Sequence, residues 1–147
     1  MRPNHNVLAV TAIAFAVAAL GLAPASAAPA LDCSGWWYPD HAEDVRGLKA
    51  MVHPDKVYTT LWRGMQNTGG IRTEHFWASI DGNTTRQDGV WIDVSNNQRD
   101  WEQCGPFYAG GNGQPVATRA VRFAHWTWVR GCSIVRGSIA CTSWQHT

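Results

Sequence analysis

The sequence predicts an all-β domain, a small antiparallel β-sandwich or partly open barrel of about six to eight strands, stapled by two disulfides. Three observations carry this. Short runs of alternating apolar and polar residues recur along the chain, broken by Gly, Asn, Asp and Pro clusters. Helical periodicity is nearly absent. Four cysteines, Cys33, Cys104, Cys132 and Cys141, follow an N-terminal export segment, and an even count in a small exported domain reads as a disulfide framework.

The export segment is residues 1–27. Arg2 supplies the positive start, residues 7–22 an apolar stretch, and Ala25-Ser26-Ala27 the small residues that a signal peptidase reads. No basic stop-transfer flank follows, so no stable membrane insertion is expected after cleavage. Residues 28–147 then make one secreted, extracellular domain, with no linker or repeat to divide it. Lysine is confined to Lys49 and Lys56; with the Ala-rich leader, this preference for Arg suggests a bacterial chain.

Residues 39–49 are the one helix candidate, with Asp40 as cap and Glu43 three residues on. Gly47 weakens it. Strands are expected at 56–65; at 73–80, ended by Asp81-Gly82-Asn83; at 90–94, ended by Ser95-Asn96-Asn97; at 101–108, ended by the glycine-rich stretch 110–115; at 116–130, long enough to need a bend or bulge; and at 138–144.

Cys132 and Cys141 flank a turn-like hexapeptide, so they are expected to pair with each other. Closing that loop of about ten residues stabilises by about 2.7 kcal/mol in the chain-entropy account. Cys33 with Cys104 closes about 72 residues, for about 4.4 kcal/mol. No cysteine spacing matches a zinc site, so no metal and no cofactor are expected.

Side chains alternate across a strand, so parity separates two faces. Val57, Thr59, Leu61, Phe76, Ala78, Ile80, Val90, Ile92, Val94, Val121, Phe123 and Val129 form the aliphatic set, the natural core. Opposite them stand Tyr58, Trp62, His75, Trp77, Trp91, Asp93, Arg122, Trp126, Trp128 and Arg130. Nine Trp in so short a chain demand a use. Two uses fit this set. Flat indoles stack on the apolar faces of sugars while Asp, Arg and His bind hydroxyls, which makes Tyr58, Trp62, Trp77, Trp91, Trp126 and Trp128 the candidate ligand-binding residues. Loops and the segment Trp36-Trp37-Tyr38 folding over an outer face would produce the same composition, with Arg stems stacked on Trp.

Charge narrows the partners. Of 12 Lys+Arg, Arg2 leaves with the leader, and the remainder balance 11 Asp+Glu. Without a basic surplus the chain is not expected to bind nucleic acid or to act as a cationic membrane-active protein. No nucleophile elbow, zinc-protease motif or phosphate loop is present, and no catalytic residue is assigned. The cluster Asp40-His41-Ala42-Glu43-Asp44 has metal or acid–base chemistry to offer, but reads more simply as a solvated loop or first helical turn. Asp93 and Glu102 lie on consecutive strands and are the one pair to weigh as glycosidase carboxyls. The sequence therefore favours a secreted, non-enzymatic binding domain for a polysaccharide or cell-envelope glycan, with an extracellular protein-interaction domain as the alternative and a small hydrolase third.

Overall fold

A computed structural model describes Cys33 and residues 37–122 and 126–147. Residues 1–27, expected to be an export segment, and Trp36 and Phe123 lie outside the described residues. The first sheet contains β1 (Glu43–Val52), β2 (Val57–Thr68), β3 (Ile71–Gly82), β6 (Val116–Ala117) and β7 (Val121–Arg122); the second contains β4 (Gly89–Ser95), β5 (Trp101–Tyr108), β8 (Trp128–Val135), β9 (Ser138–Cys141) and β10 (Gln145–His146). All pairings are antiparallel. The first sheet runs β1-β2-β3-β6, with β7 also on β3; the second runs β10-β8-β4-β5, with β9 also on β8. The all-β, disulfide-stapled sandwich read from the sequence is the fold.

The aliphatic parity set makes the core. Val57, Leu61, Phe76, Ala78 and Ile80 of the first sheet meet Val90, Ile92, Val94 and Val129 of the second, all fully or almost fully buried. The sheets approach closely at Gly131, where a Cβ would lie 3.0 Å from the Ala78 Cβ and 3.7 Å from that of Leu61. One polar cluster interrupts this hydrocarbon. The Thr59 and Ser133 hydroxyls lie 2.6 Å apart and His53 Nε2 lies 2.8 Å from Ser133 Oγ, so β2, β8 and the β1–β2 turn are tied together between the sheets.

Cys33 bonds Cys104 and Cys132 bonds Cys141, the pairing expected from spacing. Cys132 and Cys141 are directly opposite one another on β8 and β9. Two disulfides fit an oxidising, extracellular-type compartment. Among the described residues no helix is long and apolar enough to cross a membrane.

Two element expectations are corrected. Residues 39–49 do not form a helix: a single 3₁₀ turn spans Pro39–His41 and the rest is β1. Lys49, Ala50 and Met51 favour helix by propensity, but their backbone pairs with Leu61, Thr60 and Thr59 of β2, and the tertiary ladder prevails. The stretch 116–130 is not one strand. Thr118 breaks it: its Oγ1 accepts the Ala78 N–H and donates to the Arg119 carbonyl, so a side chain takes over a rung of the ladder. The chain then pairs with β3 again as β7, and β8 of the second sheet begins at Trp128.

Candidate functional site

The outer face of the second sheet carries the densest array of aromatic and charged side chains, set in three rows by the register. Trp101, Ser95, Trp128 and His146 form one row; Gln103, Asp93 and Arg130 the next; Trp91, Cys132 and Cys141 the third.

Local turns aim these groups. Ser95 Oγ accepts the N–H groups of Asn97 and Gln98 and donates to the Asp100 carbonyl, while Asn97 Oδ1 accepts the N–H groups of Arg99 and Asp100. This Asn-centred turn delivers Trp101 beside β4. Gly105, at a φ of +120°, forms the β5 bulge opposite Trp91; a Cβ there would lie 2.7 Å from the Trp91 Cβ, so only glycine fits. The Thr142 N–H donates to the Gly131 carbonyl, the Gly131 N–H donates to the Thr142 hydroxyl, and the Thr147 hydroxyl donates to the Trp126 carbonyl. These contacts hold the C-terminal segment, and with it Trp144, against β8.

At the centre stands an ion pair. Asp93 is 1 % exposed, and its Oδ2 accepts 2.8 Å bonds from Nε and NH2 of Arg130. The guanidinium in turn lies 4.4 Å from the Trp144 ring centroid and 5.1 Å from that of Trp101, distances at which a cation is held by the ring quadrupole. Trp128 and His146 meet edge-to-face with centroids 4.7 Å apart. Trp101, Trp128 and Trp144 are each half-buried. Burial raises the Asp93 carboxyl above its ordinary value; the hydrogen bond and charge of Arg130, and the Trp91 side chain, offset part of this. Asp93 Oδ1 is buried and receives no hydrogen bond of good geometry among the described residues.

Asp93 Oδ2 also lies 3.3 Å from Cys132 Sγ. Carboxylate and both sulfurs sit within 4.8 Å of one another, an arrangement with metal-ligand spacing. While the disulfide stands, its sulfurs carry no thiolate, and the group has one anionic donor.

The six candidate aromatic residues do not share this face. Trp91 and Trp128 belong to it, whereas Tyr58, Trp62 and Trp77 lie on the outer face of the first sheet. Trp77 is 5 % exposed and Trp91 8 %, so neither ring is open to a ligand. Trp77 is covered from two sides, its Cη2 over Gly64 and Ala42 beside it. Trp37 packs on His75 with ring centroids 5.2 Å apart, and Arg119 lies over the Tyr38 ring. Burial lowers the His75 pKa, as it lowers that of His53. Tyr58 is exposed, Trp62 is half-buried with Nε1 donating to Ser79 Oγ, and Trp126 packs against the core margin.

The remaining expectations are placed as follows. Asp93 and Glu102 point to opposite faces, since Glu102 pairs with inward-facing Val94 while Asp93 pairs with Gln103; they frame no common groove. Arg122 lies on β7 in the first sheet, away from Trp128 and Arg130. Asp40, His41, Glu43 and Asp44 are exposed, and Asp44 pairs with Arg72. The 110–113 loop is tied down by the Gly113 N–H to the Thr84 carbonyl. A second concavity of about 590 Å³ opens between β1 and the β2–β3 hairpin, lined by Asp44, Val45, Arg46, Arg63, Met65 and Arg72.

Trp101 and Trp144 are the site residues that sequence reasoning missed. The outward parity of Trp101 with Gln103 was available once the turn at Asn97 was fixed. Trp144 sits between β9 and β10, where strand parity has no meaning. No protein-family model, curated protein or solved structure matches the chain.

Proposed function

We propose that the protein is an exported, non-enzymatic binding domain that contacts a polysaccharide or cell-envelope glycan through the outer face of its second sheet. The observation that carries this reading is the grouping of three half-buried indoles, Trp101, Trp128 and Trp144, around the Arg130–Asp93 pair. Half-buried indoles keep part of their flat apolar surface for a sugar ring even with Arg130 over one face of Trp101 and Trp144, and Gln103, Arg130 and His146 bring hydrogen-bonding groups alongside. Trp62 and Tyr58 on the other sheet provide a smaller aromatic surface. The test is retention on insoluble polysaccharides and a glycan array. Trp128→Ala and Trp144→Ala are expected to weaken binding at least tenfold with the far-UV spectrum unchanged; undiminished retention in both refutes the assignment of this face.

A second reading, an extracellular protein-interaction domain, is favoured by β1, the edge strand of the first sheet among the described residues, on which Val45 and Val52 are exposed. A stable complex or dimer on sizing chromatography, without glycan retention, selects it.

A further inference from the structure

We infer that Cys132–Cys141 is an exchangeable disulfide, opened and closed by thiol–disulfide exchange with a dithiol, in which Asp93 carries the proton for the Cys132 sulfur. This goes beyond the binding reading and does not depend on it.

One contact of the carboxylate goes unused in the oxidised form. Asp93 Oδ2 lies 3.3 Å from Cys132 Sγ, and a disulfide sulfur has no hydrogen to give. Reduction turns the same contact into a thiol-to-carboxylate hydrogen bond without moving an atom far. The acceptor is a carboxyl almost wholly buried, whose Oδ1 receives no hydrogen bond of good geometry among the described residues. The two sulfurs differ in access: Cys132 is fully buried and Cys141 only half-buried. An incoming thiolate therefore meets Cys141 first, and Cys132 is the leaving group. The other disulfide has the same asymmetry, Cys33 half-buried and Cys104 fully buried, but Cys104 lies in the hydrocarbon core, so the contact with a carboxyl is what sets Cys132–Cys141 apart.

The exchange balances as follows. A thiolate of the dithiol attacks Cys141 Sγ, the Cys132–Cys141 bond breaks, and its electron pair leaves on Cys132 Sγ. The step runs through the protonated form of Asp93, a minor species beside Arg130 at neutral pH: Cys132 takes its proton, and the carboxylate left accepts the new S–H. The second thiol of the reagent loses its proton to solvent and attacks its own partner sulfur in the mixed disulfide. Cys141 leaves as a thiolate and is protonated by solvent. The dithiol is oxidised by two electrons and the protein disulfide reduced by two. In reverse, the Asp93 carboxylate removes the Cys132 proton and makes the attacking thiolate. The charged side chain that faces Asp93 is Arg130 of β8; β5 brings neutral Gln103 and β4 its neighbour Trp91. Burial, by raising this carboxyl, moves it toward the range in which it can hand over a proton.

The test treats the full-length oxidised protein with dithiothreitol without denaturant, then blocks free thiols with iodoacetamide and maps them by mass. Labelling of Cys132 and Cys141 while Cys33–Cys104 stays closed and near-UV dichroism persists is expected. Simultaneous opening of both disulfides, or opening only on unfolding, overturns the inference, and this arm needs no variant. The second arm compares the wild type with Asp93→Asn. Expressed per reductant thiolate, the wild-type rate rises toward low pH, approaching about tenfold per pH unit, and that of the variant stays flat. Superimposable profiles overturn the role of Asp93.

Discussion

Replacing Arg130 by Met is expected to destabilise the fold strongly at neutral pH and weakly in acid. The substitution keeps much of the side-chain volume but removes the guanidinium that donates twice to Asp93. It leaves a carboxylate that is 1 % exposed without its counter-charge, a change that costs about 3–5 kcal/mol when one partner of a buried pair is removed. Protonation caps that penalty. Taking a carboxyl of ordinary value 3.8 to its neutral form at pH 7 costs about 1.36 kcal/mol per pH unit, or about 4.4 kcal/mol in all, and about 1.6 kcal/mol at pH 5. Loss of the two ring contacts adds about 1 kcal/mol at either pH. The expected loss is therefore about 5 kcal/mol at pH 7 and under about 3 kcal/mol at pH 5. At about 4 °C per kcal/mol, that is a fall in Tm near 20 °C and near 10 °C respectively. Thermal unfolding followed by circular dichroism at the two pH values reads both numbers, and Asp93→Asn in the same chain should recover most of the neutral-pH loss. A loss that is equal at the two pH values, or below about 1 kcal/mol at pH 7, refutes the argument that an uncompensated buried carboxylate drives the effect.

Two further outcomes concern the interior. His53 and His75 have folded pKa values below the ordinary 6.5, because burial disfavours their charged forms; their contribution is complete above about pH 6.5 and is lost as pH falls, because the unfolded chain takes up protons first. Tm should drop from pH 7 to pH 5, with a shallower drop in His53→Gln, and an unchanged slope in that variant would count against His53. The Asp93 contribution has the opposite sign: its folded pKa is raised, so stability is gained as pH falls through that value toward 3.8. Gly131→Val places carbon where a Cβ already lies 3.0 Å from Ala78; overpacking should cost about 1–3 kcal/mol in urea unfolding, and a midpoint unmoved from the wild type would show that the sheets can part freely.

Much of the sandwich was legible because its strands obey parity. Val90, Ile92 and Val94 alternate with Trp91 and Asp93, and the turn chemistry of Ser95 to Asn97 ends that strand where β4 ends. Cys132 and Cys141 were readable as partners from a turn-like insert, and they are opposite one another. Parity assigns a side chain to a face of its own strand and says nothing of which sheet the strand joins. That is why Trp62 and Trp77 seemed to stand with Trp91 and Trp128, and why Arg122 seemed to stand with Arg130. The break between β6 and β7, both on β3, is made by one threonine hydroxyl, Thr118, taking a backbone role, which no periodicity reveals. β1 was hidden for another reason: its residues favour helix locally, and only pairing with a strand beyond the next turn makes them extended.

The cluster of Thr59, Ser133 and His53 has a bearing on how the fold is chosen. Two sheets that meet only through hydrocarbon could slide over one another at small cost, since dispersion and burial have no direction. Hydroxyl and imidazole groups placed between them do have direction: shifting β8 by one residue against β2 would turn Ser133 outward and leave Thr59 and His53 facing methyl groups with their hydrogen bonds broken. Three small polar groups thus act as a vernier, selecting one alignment of the sandwich from a set of near-equivalent packings, and with it the spacing of every row on the outer face.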